Sequence, residues 1–282
     1  MTTEGWDKLG REPAEAVWGP AAKDDIPLLE CHSFIEFSAL IAWTCREAPQ
    51  LSHARQIDAG QGKVVARDSN NYAYFLSASS WYRLGSTKLK HVSVGPAGIW
   101  GVDTSDKVYK YIAGNFVQSS GQLKQIDAGG DGQVVGVNSG SQTYCLRRTY
   151  ASAFKGVGTT NWNSLSRTMK YYSCGPMFGC WGVDTSHRVY VTQTITPTTC
   201  GISSWSYVSG ISAKMIEVST DGSVFALTTT GQVYQRNGIY SGRRLGSSWS
   251  RIPMCLHVSH LSYDLGQLWI VSQGGIILRC TH

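Results

Sequence analysis

Leu123–Asn138 reads LKQIDAGGDGQVVGVN, and the chain repeats this pattern along most of its length. A short apolar run (Ile126, Ala128) is cut by a Gly/Asp turn and resumes as Val134-Val135-Gly136-Val137. Alternating apolar and polar residues on both sides of a glycine-rich turn predict two short antiparallel strands. The pattern occurs upstream as RQIDAGQGKVVARD (Arg55–Asp68) and KHVSVGPAGIWGVD (Lys90–Asp103). Downstream it returns as KYYSCGPMFGCWGVD (Lys170–Asp184), KMIEVSTDGSVFAL (Lys214–Leu227) and a degenerate HVSHLSYDLGQLWIV (His257–Val271). These make six copies.

With Ile57, Val92, Ile126, Tyr172, Ile216 and Val258 as markers, the intervals are 35, 34, 46, 44 and 42 residues. Each copy carries two further strand-like pieces. One is a Val-Tyr pair (Val108-Tyr109, Val189-Tyr190, Val233-Tyr234), with Thr143-Tyr144 and Ala73-Tyr74 as variants. The other is W-x-x-[LIV], seen as Trp81–Leu84, Trp205–Val208 and Trp249–Ile252, with Phe116 standing in before Gln122. Four short strands per repeat is the make-up of a propeller blade. The expected fold is therefore all-β, a six-bladed propeller of four-stranded antiparallel blades. Its closure is expected from the terminal Ile276–Cys280 strand pairing with a strand near Cys45–Ala54. The 31 glycines and 16% charged residues suit many turns and little free helix surface.

Two domains are expected: 1–42, poorly ordered or atypical, and 43–282, the propeller. Met1–Glu30 is polar and proline-interrupted, while Phe34–Trp43 (FIEFSALIAW) is apolar but carries Glu36 and lacks a basic stretch before it. It reads equally as an atypical secretory segment or a short amphipathic helix, and is too short to span a membrane. The connectors Arg147–Trp162 and Thr192–Ser204 read as surface loops.

The eight cysteines include no CxxC and no Cys/His spacing suited to zinc. Cys174 and Cys180 replace Val94 and Ile99 of the second copy, on facing positions of one hairpin, and are expected to bridge. Cys45 and Cys280 lie at the two ends, where a bond would lock the ring. Oxidised cysteines imply a secreted, extracellular chain; the alternative is a cytosolic chain with buried thiols.

Together, LKQIDAGGDGQVVGVN, KHVSVGPAGIWGVD, KYYSCGPMFGCWGVD, MIEVSTDGSVFAL and DLGQLWIV…ILRC resemble the tectonin-repeat lectins, most closely the fish-egg lectins. The resemblance runs from about Trp43 to the C-terminus. It implies a secreted six-bladed propeller that binds N-acetylglucosamine and related microbial or egg-surface glycans, without enzymatic activity. It also implies four disulfides, among them Cys45–Cys280, Cys145–Cys200 and Cys174–Cys180. This chain departs from the family where Ser272 replaces the cysteine expected to partner Cys255, which is then left to stay reduced or to pair with Cys31. Its first 42 residues also differ from the family's ordinary signal peptide.

Sugar binding needs an aromatic face and planar polar groups that pair with hydroxyls. The candidates are Trp100 and Trp181 with Asp103 and Asp184 at the strand ends, Asn138 at the equivalent place, and Asp58, Asp127 and Glu217 near the hairpin turns. The competing reading wedges the tryptophans between blades and uses the carboxylates as turn caps. Several weak sites on one ring would give multivalent recognition, as innate-immune pattern recognition requires. The net charge of +6, with Arg147-Arg148 and Arg243-Arg244 in connectors, admits lipopolysaccharide or other phosphate-bearing bacterial surfaces as partners. No continuous basic-aromatic groove suggests nucleic acid. No catalytic motif is present, and His257 and His260 read as turn or core residues. No cofactor or metal is expected, with structural calcium left open; self-association is equally open. A β-propeller protein-interaction scaffold inside the cell is the alternative function.

Overall fold

A computed structural model describes residues 43–282 apart from 155, 157 and 159. The expectations for 1–42, and for Cys31, lie outside the described residues. The described strands form six four-stranded antiparallel sheets, two of which share the 16-residue strand Ser80–Gly95. Its first half is the outer edge of the first sheet, and its second half is the inner edge of the next. Each sheet is a meander that begins at an inner strand: Ala54–Gly60, the latter half of Ser80–Gly95, Gln125–Asp127, Tyr171–Cys174, Ala213–Val218 and Val258–Asp264. The fold is a β-propeller, and the sheets are its blades, numbered here in chain order.

Blade six takes its outer strand from the other end of the chain. Thr44–Glu47 pairs with Ile277–Thr281, setting Cys45 opposite Cys280, and the two are disulfide-bonded across 235 residues. Cys174 faces Cys180 in the blade-four hairpin and is bonded to it, while Cys145 is bonded to Cys200. Cys255 is also disulfide-bonded, which removes the reduced-thiol option for it; its pairing falls outside the described residues.

Glycines after the repeated core let inner strands crowd together. A Cβ at Gly60 would lie 2.3 Å from the Val94 carbonyl oxygen, and one at Gly95 would lie 2.1 Å from that of Ala128. No side chain fits there, which explains the recurring glycine two residues past Asp58 and Ser93.

The connectors expected as plain loops carry structure. A five-residue helix, Arg148–Ser152, lies after blade three's third strand, and its buried Ala151 packs with Phe154 near Trp100. The second connector holds the small hairpin Ile195–Thr196/Gly201–Ile202, tied back by the Cys145–Cys200 bond and by Arg148 N–H donating to Pro197 O at 2.8 Å. The disulfide and these backbone bonds order what Thr, Ser and Gly composition alone marks as loop.

Candidate ligand-binding site

The acids Asp58, Asp127 and Glu217 stand on the inner strands of blades one, three and five. The same place in blades two, four and six holds Ser93, Ser173 and Ser262, so acid and serine alternate from blade to blade. All six residues are buried. Val94 N–H donates to Asp58 Oδ2 (2.9 Å), Ala128 N–H to Ser93 Oγ (2.9 Å) and Cys174 N–H to Asp127 Oδ1 (3.1 Å). Val218 N–H donates to Ser173 Oγ (3.0 Å), and Ala59 N–H to Ser262 Oγ (2.9 Å) across the junction of blades six and one. Each bond crosses to the next blade, so this belt stitches the blades together.

The partner across each hairpin alternates as well. Asp58, Asp127 and Glu217 face Val65, Val135 and Phe225, while Ser93, Ser173 and Ser262 face Trp100, Trp181 and Trp269. In blade six Leu261, not Val258, is the counterpart of Ile57, because Val258 and His260 flank the bulge as Ala54 and Gln56 do in blade one.

One layer along, His91, Tyr171 and His260 from blades two, four and six meet on the axis, with ring centroids 5.9, 6.0 and 6.5 Å apart. The Tyr171 hydroxyl donates to Glu217 Oε1 at 2.5 Å. Burial raises the Asp58 pKa to about 6 against hydrogen bonds from Ser93, Val94 and Ser262. Burial and then mutual repulsion also push Asp127 and Glu217 up. Burial holds His91 down to about 3 and depresses His260. Both histidines are therefore neutral, and the acids are inter-blade ties closed off from any sugar.

The other sequence candidates are placed differently. Trp100 and Trp181 are 0% exposed and wedge between blades, so neither offers a face to a ligand. Asp103 and Asp184 cap their own turns: Asp103 Oδ1 accepts from Ser105 and Lys107 N–H, and Asp184 Oδ1 from Ser186 and Arg188 N–H. Asp184 also pairs with Arg188 Nε at 2.8 Å. Burial alone would raise the Asp184 pKa, but the Arg188 and Ser186 bonds hold it below the usual carboxylate range. Asn138 caps in the same manner, accepting from Gln142 N–H at 2.8 Å. Asn138 also lines a cavity.

That cavity, about 310 Å³, opens where blade two meets blade three and is lined by Gly121, Gln122, Leu123, Asn138, Tyr144 and Trp162. Trp162 begins blade three's outer strand and donates its indole N–H to Ser120 O of blade two at 2.8 Å. The ring can lie there because Gly121, at φ +104°, leaves room: a Cβ would stand 2.7 Å from Trp162 Nε1. The Tyr144 hydroxyl donates to Gln142 Oε1 (3.3 Å), which also accepts from Asn138 Nδ2 (2.9 Å).

The parts recur in other blades. Trp81 donates to Pro49 O (2.8 Å) and Trp249 to Ser209 O (3.1 Å), while Tyr74 and Tyr109 donate to the turn caps Asp68 and Asp103 (3.2 and 3.1 Å). Blade one repeats all three parts, with the half-buried Trp81 indole, the Tyr74 hydroxyl and the Asp68 cap; blade two has Phe116 in place of the indole, and in blade five Trp249 stands with Tyr234, bonded to Gln232, and a Thr228 cap. Trp162 closes the stretch whose composition reads as a connector, yet Trp162–Leu165 fits the same W-x-x-[LIV] pattern as the other outer strands.

The Tectonin domain family profile matches residues 53–273, most of the blade-forming chain. The chain belongs to the tectonin family. Fish-egg lectin of Cyprinus carpio is 40% identical to this tectonin over 158 residues, a match covering 55% of this chain and 65% of the carp protein. Among solved structures, a gluconolactonase from Xanthomonas campestris superposes with a TM-score of 0.61 at 11% identity, covering 83% of this chain and 87% of that one. The Myceliophteria thermophila Cps50 (Swd1) β-propeller domain gives 0.53 at 9% identity, covering 84% and 88%. At such identities the tectonin chain shares the propeller fold with these two, and nothing further follows from them.

Proposed function

We propose that this tectonin is an extracellular lectin that binds N-acetylglucosamine-type glycans in the grooves between blades, with the Trp162–Tyr144–Asn138 cavity as the primary site. The observation that carries the reading is the cavity itself, where an indole, a phenol and two carboxamide side chains (Asn138, Gln122) surround a space open to solvent. The indole and phenol give apolar faces for the C–H side of a pyranose, and the carboxamides supply donors and acceptors to its hydroxyl and acetamido groups. Likeness to the carp lectin supports the same conclusion. Three disulfides support an extracellular setting, because such bonds persist in oxidising compartments.

Recurrence of the full module in blade one, with partial versions in blades two and five, gives weak sites a fixed spacing. A microbial or egg surface carrying many copies of the sugar is then held far more tightly than a single sugar, which suits innate recognition. The test is retention of the non-reduced protein on N-acetylglucosamine beads and elution by free sugar, for the parent and Trp162→Ala. Retention lost in Trp162→Ala alone places the site in this groove. Retention unchanged in a folded Trp162→Ala overturns that placement, and a parent protein that does not bind overturns the sugar.

A further inference from the structure

The inner strands carry a second repeated feature that the lectin reading does not use. Just before the layer of Gln56, His91, Gln125, Tyr171, Met215 and His260, each blade has Arg55, Lys90, Lys124, Lys170, Lys214 or Ser259. In four blades the strand register skips this residue, between Ala54 and Gln56, Leu89 and His91, Ala213 and Met215, and Val258 and His260. A β-bulge of this kind takes one side chain out of the pleat and re-aims it. In the other two, Lys124 and Lys170 immediately precede the inner strand, their N–H groups bonded to Val137 O (2.8 Å) and Val183 O (2.6 Å). Five blades therefore carry a basic residue at the same end of the axis, one position before the layer of His91, Tyr171 and His260.

These charges sense one another. Lys124 is pushed down by burial and then by Lys170 and Lys90, with Asp106 opposing; Lys214 is pushed down by burial and Lys170. Arg67, beside Arg55, adds a guanidinium whose buried Nε has no hydrogen-bond partner. Among the described residues only Lys90 of this group has an ion-pair partner, Asp106. The remaining acids at this end, Asp68, Asp103 and Asp184, are held by turn amides, by tyrosine hydroxyls or by Arg188. Arg55, Lys124, Lys170 and Lys214 thus stand at one end of the axis with no ion-pair partner among the described residues, Arg55 donating to Gln273 O (3.0 Å) and Lys124 to Ser141 Oγ (3.3 Å).

We propose that this axial mouth binds a compact polyanion bearing clustered phosphate groups. Lysine ammonium groups act on phosphate as adjustable point charges, and several converging on one spot favour a ligand with several charges in a small volume. The basic groups close around a point instead of tracking along a groove, which disfavours an extended nucleic-acid strand. The mouth and the Trp162 groove share no residue, so this inference stands apart from the sugar-binding reading.

The probe is inositol hexakisphosphate, titrated calorimetrically into the intact, non-reduced protein at low ionic strength. A second arm uses vesicles with and without a diphosphorylated lipid A headgroup, which separates a free polyphosphate from a membrane-borne one. The expected result is saturable binding that weakens at least tenfold in Lys170→Gln/Lys214→Gln, is unchanged in Lys63→Gln, and falls steeply as salt is raised. Lys63 serves as the control because it stands at the opposite end of its inner-strand hairpin. Binding in either arm with this variant pattern supports the mouth and names the source. Absence of binding in both arms, or equal loss in Lys63→Gln and the double variant, overturns the proposal. Near-ultraviolet circular dichroism of each variant confirms that the blades remain packed.

Discussion

Trp100 and Trp162 are the same side chain put to opposite uses by strand position. Trp100 sits on a second strand with neighbours on both faces, and no part of it reaches solvent. Trp162 sits on an outer strand at a junction, half-buried and lining a cavity. Trp100→Ala is expected to destabilise the fold by about 3–5 kcal/mol, read by denaturant unfolding, because it leaves a void that a packed core cannot fill. Trp162→Ala should lower stability far less and abolish retention on the sugar column. Sequence alone marks the tryptophans of the repeats as the residues of interest. It does not separate them, since W-G-V-D and W-x-x-L differ in depth within the blade, which depends on contacts from neighbouring blades. The acids show the same limit: Asp58 and Asp103 both stand next to turns, yet one bonds across a blade junction and the other caps its own turn.

At the scale of the hairpin, the repeat is a faithful guide. Glycine-rich turns, the facing Cys174–Cys180 pair and the Val-Tyr strands all appear where their spacing puts them, because these depend on local geometry. Two features of the same strands were also in the letters but are invisible to a marker of one residue per copy. The inner-strand bulge skips Arg55, Lys90, Lys214 or Ser259, and the acid–serine alternation emerges only when odd and even copies are compared. Connector structure was not legible, since the helix and small hairpin owe their form to the Cys145–Cys200 bond and to contacts with blade two. Turn caps give a direct check: Asp184→Ala should cost about 1–3 kcal/mol, because two turn N–H groups and Arg188 lose their acceptor. Thermal unfolding of that variant against Asn138→Ala would show whether the ion pair adds to the cap.

Across the whole molecule, stability depends on charges kept off the axis. Asp58 has its pKa raised from 3.8 to about 6, so its contribution is fully present below pH 3.8 and is lost as pH rises through about 6. His91, depressed from 6.5 to about 3, acts in the opposite sense: its contribution is present above pH 6.5 and is lost as pH falls through about 3. Asp58→Asn should therefore gain on the parent by about 2 kcal/mol between pH 4 and pH 8, measured by denaturant unfolding at both values. A difference independent of pH would sink the burial argument. The bond between Cys45 and Cys280 spans 235 residues, and Cys45→Ser/Cys280→Ser should lose about 5 kcal/mol on the chain-entropy estimate, read as a fall in the denaturation midpoint. Alternation also restricts how such a protein can grow. Removing one blade would bring two carboxylates, or two serines, to a single junction, and would set a tryptophan wedge against another or leave a gap. Gene duplication or deletion in this architecture should therefore succeed two blades at a time, with parity enforced by chemistry at the axis.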